Sequence, residues 1–211
     1  MIAPQVLARL RATGRRLPEG DGLRWFNEVY VRVTEQVHEL LDRGHFEDRA
    51  FLVRLDEVFA DLYLDALQAE PASAWAPLLA ARADPSVAPA RFMLAGINAH
   101  VNYDLPIALV CTCREVGGGL ATDTARHRDF QRVDDILADV EQDVHHRLQT
   151  TLLPELLALW AIIRARDRAW TAALQLARLP PQGAARRSFL HDLGSRVAAC
   201  SELLLHGLSP R

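Results

Sequence analysis

The stretch AGINAHVNYDL, residues 95–105, sets Asn98, His100, Asn102 and Asp104 at alternate positions in the most apolar neighbourhood of the chain. An imidazole followed four residues later by a carboxylate is a chemically useful pair. At about 100° per helical residue the two stack a turn apart on one face, together with Met93, Ile97, Ile107 and Cys111. Asn98 and Asn102 pair on nearly the opposite face, beside Leu94, Val101 and Leu105. A helix so apolar all round belongs in an interior, where each polar group needs a hydrogen bond or a metal to replace its water. Pro106 removes one amide donor and clashes with the carbonyl of Asn102, which bends the axis, and Gly96 permits close approach by a neighbour.

Three readings of His100 and Asp104 compete. In the structural one, the carboxylate satisfies the imidazole in a buried network. The catalytic one has Asp104 orient His100 and raise its basicity, so that the other ring nitrogen works as acid or base, with Asn98 and Asn102 positioning the substrate. A metal reading makes the pair ligands for a divalent cation, the cofactor such a set would take, completed from another helix.

Partners were sought at the margins of the apolar stripes. Asp56 and Tyr63 share a flank with Phe59 between them, and His127, Asp134, Glu141 and His145 line one edge of a later helix. Margins normally carry solvated charges. Asp56 and Asp134 are the preferred additional metal ligands, and Tyr30 and Thr34 could supply hydroxyls. Tyr30, Tyr63, Tyr103 and Arg168 are the candidate substrate contacts, although Arg164, Arg166 and Arg168 in RARDRAW also read as a solvated helix surface with Trp170 packing inward.

Other chemistries find no support. A di-iron bundle needs two Glu-x-x-His repeats, and only EQVH, Glu35 to His38, has the form, with Glu35 directed away from the stripe. The CTC pair, Cys111 and Cys113, lacks zinc-ribbon spacing. There is no nucleophile elbow, P-loop or dinucleotide fingerprint. GGGLAT lacks a following Lys and reads as a hinge or lid.

Half of the 211 residues are hydrophobic, enough for one continuous core in a single domain. The net charge of -3 argues against a nucleic-acid partner. Every basic residue among the 24 is Arg, which reads as codon bias rather than function. Three cysteines do not make a disulfide framework. The N-terminus lacks a signal-peptide core, and TLLPELLALWAII is too short to span a bilayer. The expectation is a cytoplasmic protein with no membrane partner.

Helical periodicity dominates, so the fold is expected to be all-α: six or seven helices in one bundle with a kinked central helix. The first core helix, about Leu23 to Asp42, carries Leu23, Phe26, Tyr30, Val33, Val37 and Leu41 as its stripe. A second runs from about Phe46 to Ala69 and forms a hairpin with it. A short helix about Trp75 to Ala83, the central helix about Pro89 to Arg114, and helices from about His127, Pro154 and the region after Gly183 follow. Residues 1–20 are expected to be loosely attached, and 115–126 to form a Gly-rich loop.

With FNEVYVRVTEQV, FMLAGINAHVNYDLPIALV and RARDRAW in place, the chain resembles an uncharacterised all-helical family common in actinobacteria, whose hallmark is L-x-G-I-N-A-H-[IV]-x-x-D-L. The likeness runs from about Phe26 to Trp170. It implies a bacterial helical domain and points again to Asn98, His100 and Asp104, without naming a reaction. In that family the position of Tyr103 can hold a His, and Asp135 in RVDDIL is the matching acid where helical geometry favours Asp134.

The leading expectation is a small-molecule enzyme, with hydrolase, lyase or cyclase chemistry in a biosynthetic pathway, and His100 and Asp104 at its centre. The alternatives are a non-catalytic module binding an apolar small molecule or partner protein, and a regulatory or homodimerisation scaffold.

Overall fold

The computed structural model describes residues 4–68, 74–148 and 155–207, with side chains over 5–68, 74–137 and 163–207. Within them every regular element is a helix: α1 Pro4–Arg16, α2 Leu23–Asp42, α3 Arg49–Ala66, α4 Ala76–Ala81, α5 Pro89–Ala99, a π-helical turn His100–Asp104, α6 Leu105–Val116, α7 Ala125–Leu148, α8 Glu155–Arg178 and α9 Ala184–His206. Taking α5, the π turn and α6 as one bent rod leaves seven long helices and the short α4 among the described residues. The fold is all-α, as expected. The side chains of Glu141, His145 and Trp160 lie outside the described residues.

The N-terminal segment corrects one expectation. Val6 and Leu10, a turn apart on α1, are fully buried, and the Leu10 carbonyl accepts a hydrogen bond from Asn27 Nδ2 at 3.2 Å. Their short stripe lies among arginines, which hides it in the sequence, but it docks α1 onto α2. Gly44, at φ 72°, reverses the chain between α2 and α3. Phe46 stays in the connection, because α3 starts at Asp48, whose carboxylate caps the Phe51 amide at 3.0 Å. Asp129 of α7 fixes that turn by accepting from the amides of Glu47 and Asp48 at 3.0 and 2.6 Å. The Gly-rich loop is tied at its start, where Arg126 donates to the Gly117 carbonyl at 2.8 Å and to Asp48.

Two apolar clusters fill the bundle. One joins α1, the start of α2, the end of α3, α4, α5 and α9 through Leu10, Phe26, Tyr63, Trp75, Phe92 and Val197. The other joins the end of α2, the start of α3, α6, α7 and α8 through Leu41, Phe51, Leu109, Phe130 and Trp170. Antiparallel α2 and α3 run through both, and the π turn stands where α5 of the first cluster passes into α6 of the second. The middles of α2 and α3 therefore face the π turn at the junction.

The face that α2 buries there differs from the expected stripe. Thr34 and His38 are buried while Val33 and Val37 are only partly so. The helix is rotated toward α3, whose Asp56 receives His38. Close packing of α2 on α5 depends on Gly96, where an added Cβ would stand 2.5 Å from the Phe26 ring. Gly96→Ala is expected to destabilise the protein by about 1–3 kcal/mol through overpacking, measured as a lower urea midpoint at an unchanged slope.

Candidate functional site

The site begins with a backbone fault. Pro106 has no N–H to offer the carbonyl a turn before it, and its ring would collide with that carbonyl in a regular α-helix. The chain widens instead: the Leu105 amide bonds to the carbonyl of His100, five residues back, and residues 100–104 form a π turn. One extra residue in that turn advances the buried face. Ala99 and His100 are followed inward by Asp104 and Leu105, then Ala108 and Leu109, then Thr112 and Cys113. Tyr103, Ile107 and Cys111, which uniform α spacing places on the His100 side, are only partly buried. The expected grouping is thus corrected by one residue beyond the turn.

His100 and Asp104 remain together, with 3% and 2% of their surfaces exposed. Nδ1 of the imidazole lies 2.9 Å from Asp104 Oδ2, and the same oxygen accepts from Trp75 Nε1 at 3.0 Å. With Asp104 ionised, that oxygen accepts from the ring as well, which puts the ring proton on Nδ1 and leaves a lone pair on Nε2. Nε2 is buried and has no hydrogen-bond partner. Phe59 lies flat on the imidazole at 3.5 Å between centroids and 6° between planes, and Tyr30, Phe26, Tyr63 and Trp75 stand around it at 4.6, 5.5, 6.0 and 6.2 Å. Burial pushes His100 below its ordinary 6.5 despite the neighbouring carboxylate, and pushes Asp104 above the ordinary 3.8 despite its two donors. The imidazole is held neutral.

A second buried pair lies beside the first. His38 Nε2 is 2.7 Å from Asp56 Oδ2, and burial raises the Asp56 carboxyl despite that bond. Asp56 is close enough to act on the charges of both His100 and Tyr30. On α2 the order Tyr30, Thr34, His38 places three polar groups on successive turns of the buried face. The Tyr30 and Thr34 hydroxyls, like His100 Nε2, are buried without a partner. Burial, with the charges of Asp56 and Asp104, holds Tyr30 protonated well above its usual range. Among the described residues, three of the five orphaned buried side-chain atoms therefore fall in this seam. Each such atom costs about 1–3 kcal/mol if nothing meets it.

Other candidates lie elsewhere. Asn98 Nδ2 donates to the Val197 carbonyl and Ser201 Oγ at 3.0 and 2.9 Å, and its oxygen accepts from Asn102 Nδ2 at 3.0 Å. Asn98 pins α9 to α5, Asn102 braces Asn98, and the bonds of neither amide reach the imidazole. Tyr63 is committed to Asn27 Oδ1 at 3.2 Å, with its ring at the rim of the aromatic group. Tyr103 packs at the edge of the first cluster. Arg168 is exposed, and it is Arg166 that turns inward, pairing with Asp134 and the Phe130 carbonyl and lying 4.1 Å over the Phe130 ring. Asp134 is thus taken by a guanidinium. His127 packs on Trp170 at 4.8 Å, and Asp135 is exposed. His100, Asp104, Asp56 and Asp134 do not form a metal-ligand set: among the described residues no group of three or more His, Cys, Asp or Glu side chains could hold an ion.

Two participants escaped sequence reasoning. Trp75 sits just ahead of α4, far along the chain from Asp104, and no spacing rule links them. His38 carries a usable signal, since it follows Tyr30 and Thr34 at intervals of four, although the EQVH pattern sets it in a different context.

A family model described as a family of unknown function (DUF5995) matches residues 3–207. The chain belongs to this family. No curated protein and no solved structure matches it. No helix among the described residues of this DUF5995 chain is long and apolar enough to cross a membrane.

The neutral imidazole gives this DUF5995 protein a definite acid response. Below 6.5, the ordinary histidine value, the unfolded chain takes up a proton that the native ring refuses, so stability falls as pH drops through that region. Asp104 and Asp56, raised by burial, act oppositely from 3.8 upward, where the native state holds the extra proton. The thermal midpoint should fall on acidification from about 6.5. His100→Gln, which keeps a donor for Asp104 but cannot titrate, should lose that part of the slope. Nitrogen NMR should find the neutral form of His100 persisting to lower pH than in an ordinary histidine.

Proposed function

We propose that the protein is an enzyme acting on a small molecule, with His100 Nε2 accepting the proton that the bound substrate gives up. The observation that supports this is the buried, unpartnered Nε2 on a ring whose other nitrogen is fixed by Asp104, which is in turn fixed by Trp75. An oriented base needs this chain of three: a free lone pair, a carboxylate behind it, and a group holding the carboxylate. On transfer the bond between the substrate atom and its hydrogen breaks, the electron pair stays on the substrate, and the proton forms a new N–H bond. Asp104 then faces an imidazolium. The aromatic wall suits a substrate with an apolar part, and Phe59 covers one face of the imidazole while the Nε2 lone pair lies in the ring plane. Hydrolase, lyase and cyclase chemistry can all begin with such a transfer.

A second reading draws on the depth of the pair. With 3% and 2% exposure and both partners of Asp104 internal, His100 and Asp104 would serve as a structural lock in a non-catalytic helical module.

The two part in one experiment. The full chain is incubated with a panel of esters, lactones and β-hydroxy acids, and conversion is followed by mass spectrometry. The enzyme reading expects one class to be converted, with a loss of about 100-fold or more in a folded His100→Gln variant. Absence of conversion across the panel, together with a His100 nitrogen spectrum that no member perturbs, would establish the lock.

A further inference from the structure

The orphaned atoms place a demand on whatever meets them, and it is a narrow one. With Nδ1 donating to an ionised Asp104, His100 Nε2 can only accept. The Tyr30 and Thr34 hydroxyls each have a hydrogen to give. All three are buried and unpartnered. Tyr30 and Thr34 are a turn apart on one face of α2. The Tyr30 ring is 4.6 Å from the imidazole and 5.9 Å from Phe59, and Phe59 is stacked on that imidazole. Thr34 is bracketed between this ring group and the His38–Asp56 pair on the next turn.

One hydroxyl group answers the whole demand. Its hydrogen would go to Nε2, and its two lone pairs would accept from Tyr30 and Thr34. A carbonyl could accept from both hydroxyls but would leave Nε2 unmet, and an ammonium could donate to Nε2 but accept from neither hydroxyl. A carboxylate or phosphate would stand beside Asp56 and Asp104, adding like charge in a site without water.

We propose that Tyr30, Thr34 and His100 form a single binding site for one uncharged hydroxyl oxygen, that of an alcohol substrate or of a water used as nucleophile. The inference rests on the proposed role of His100 and assigns the atom that loses its proton to it. Tyr30 and Thr34 are the specificity-determining contacts. They would also hold the oxygen as its O–H bond breaks, because two donors aimed at it stabilise the charge it develops.

Tyr30→Phe and Thr34→Val, singly and together, test it in the full chain, since both keep shape and remove only the hydroxyl. With a shared guest each single variant should lower the thermal midpoint, and the double variant should lose less than the sum, because the second hydroxyl has less left to hold. The His100 Nε2 resonance should shift in both single variants. If either substitution raises the midpoint, or the losses add and the resonance ignores both, the hydroxyls are merely unpaired and the site does not exist. That outcome leaves conversion of the small-molecule panel, and its loss in His100→Gln, untouched, so the two failures are separable. The source of the oxygen follows from titrating wild type with ethylene glycol and glycerol. A saturable shift of the Nε2 resonance that Thr34→Val abolishes supports the site with an alcohol in it. A resonance that the diols leave alone, yet both substitutions move, supports the site with water.

Discussion

Everything at the junction follows from an amide hydrogen that Pro106 does not possess. Without it the helix cannot close its usual bond to residue 102, and the ring would strike the carbonyl there. Widening into a π turn removes the collision and inserts a residue into the buried face. Asp104, Ala108 and Thr112 take inward positions that Tyr103, Ile107 and Cys111 would otherwise hold. The carboxylate thereby reaches a place where Trp75 and His100 both donate to one oxygen, and the imidazole is left with one nitrogen committed and one free.

The interior is unusual in how it separates its polar and apolar work. Two apolar clusters fill the bundle, and one group of buried polar side chains gathers between them. Tyr30, Thr34, His38, Asp56, His100 and Asp104 all belong to the stretch where α2, α3 and the π turn meet. Some of these groups hydrogen-bond in pairs, 2.7 Å for His38 with Asp56 and 2.9 Å for His100 with Asp104. The remaining atoms have no partner within the chain, and each costs about 1–3 kcal/mol wherever nothing meets it. Large apolar clusters on both sides can sustain that cost without loss of the fold. The amides of Asn98 and Asn102 illustrate the opposite use of polarity, since Asn98 fastens α9 and Asn102 braces Asn98.

How far the sequence reveals this differs by residue. The pairing of His100 with Asp104 is legible because a spacing of four stacks side chains in α and π geometry alike. Asp56 is legible as a marginal polar position on an apolar helix and Tyr30 as a member of the stripe of α2, with Thr34 one turn further on, and the all-helical architecture follows from periodicity. The π turn is not, since the kink is implied by Pro106 but the added residue is not, and the faces beyond it are misassigned. Arg166 and Arg168 exchange expected roles for a related reason: two arginines two residues apart lie on different sides of a helix, and only the position of α7 tells which one meets Asp134. Trp75 and α1 illustrate tertiary contact overriding local pattern, where docking onto a distant partner supplies the burial that a short or interrupted stripe does not advertise.

The stacking of Phe59 on His100 reaches beyond local packing. Phe59 packs against both apolar clusters, and the ring beneath it hangs from the turn that divides α5 from α6. Any tilt of one half of the molecule against the other must slide these two flat surfaces over each other. Ring currents in such a stack change steeply with offset. One imidazole thus serves as a built-in gauge, whose proton signals register how the two ends of the molecule are seated.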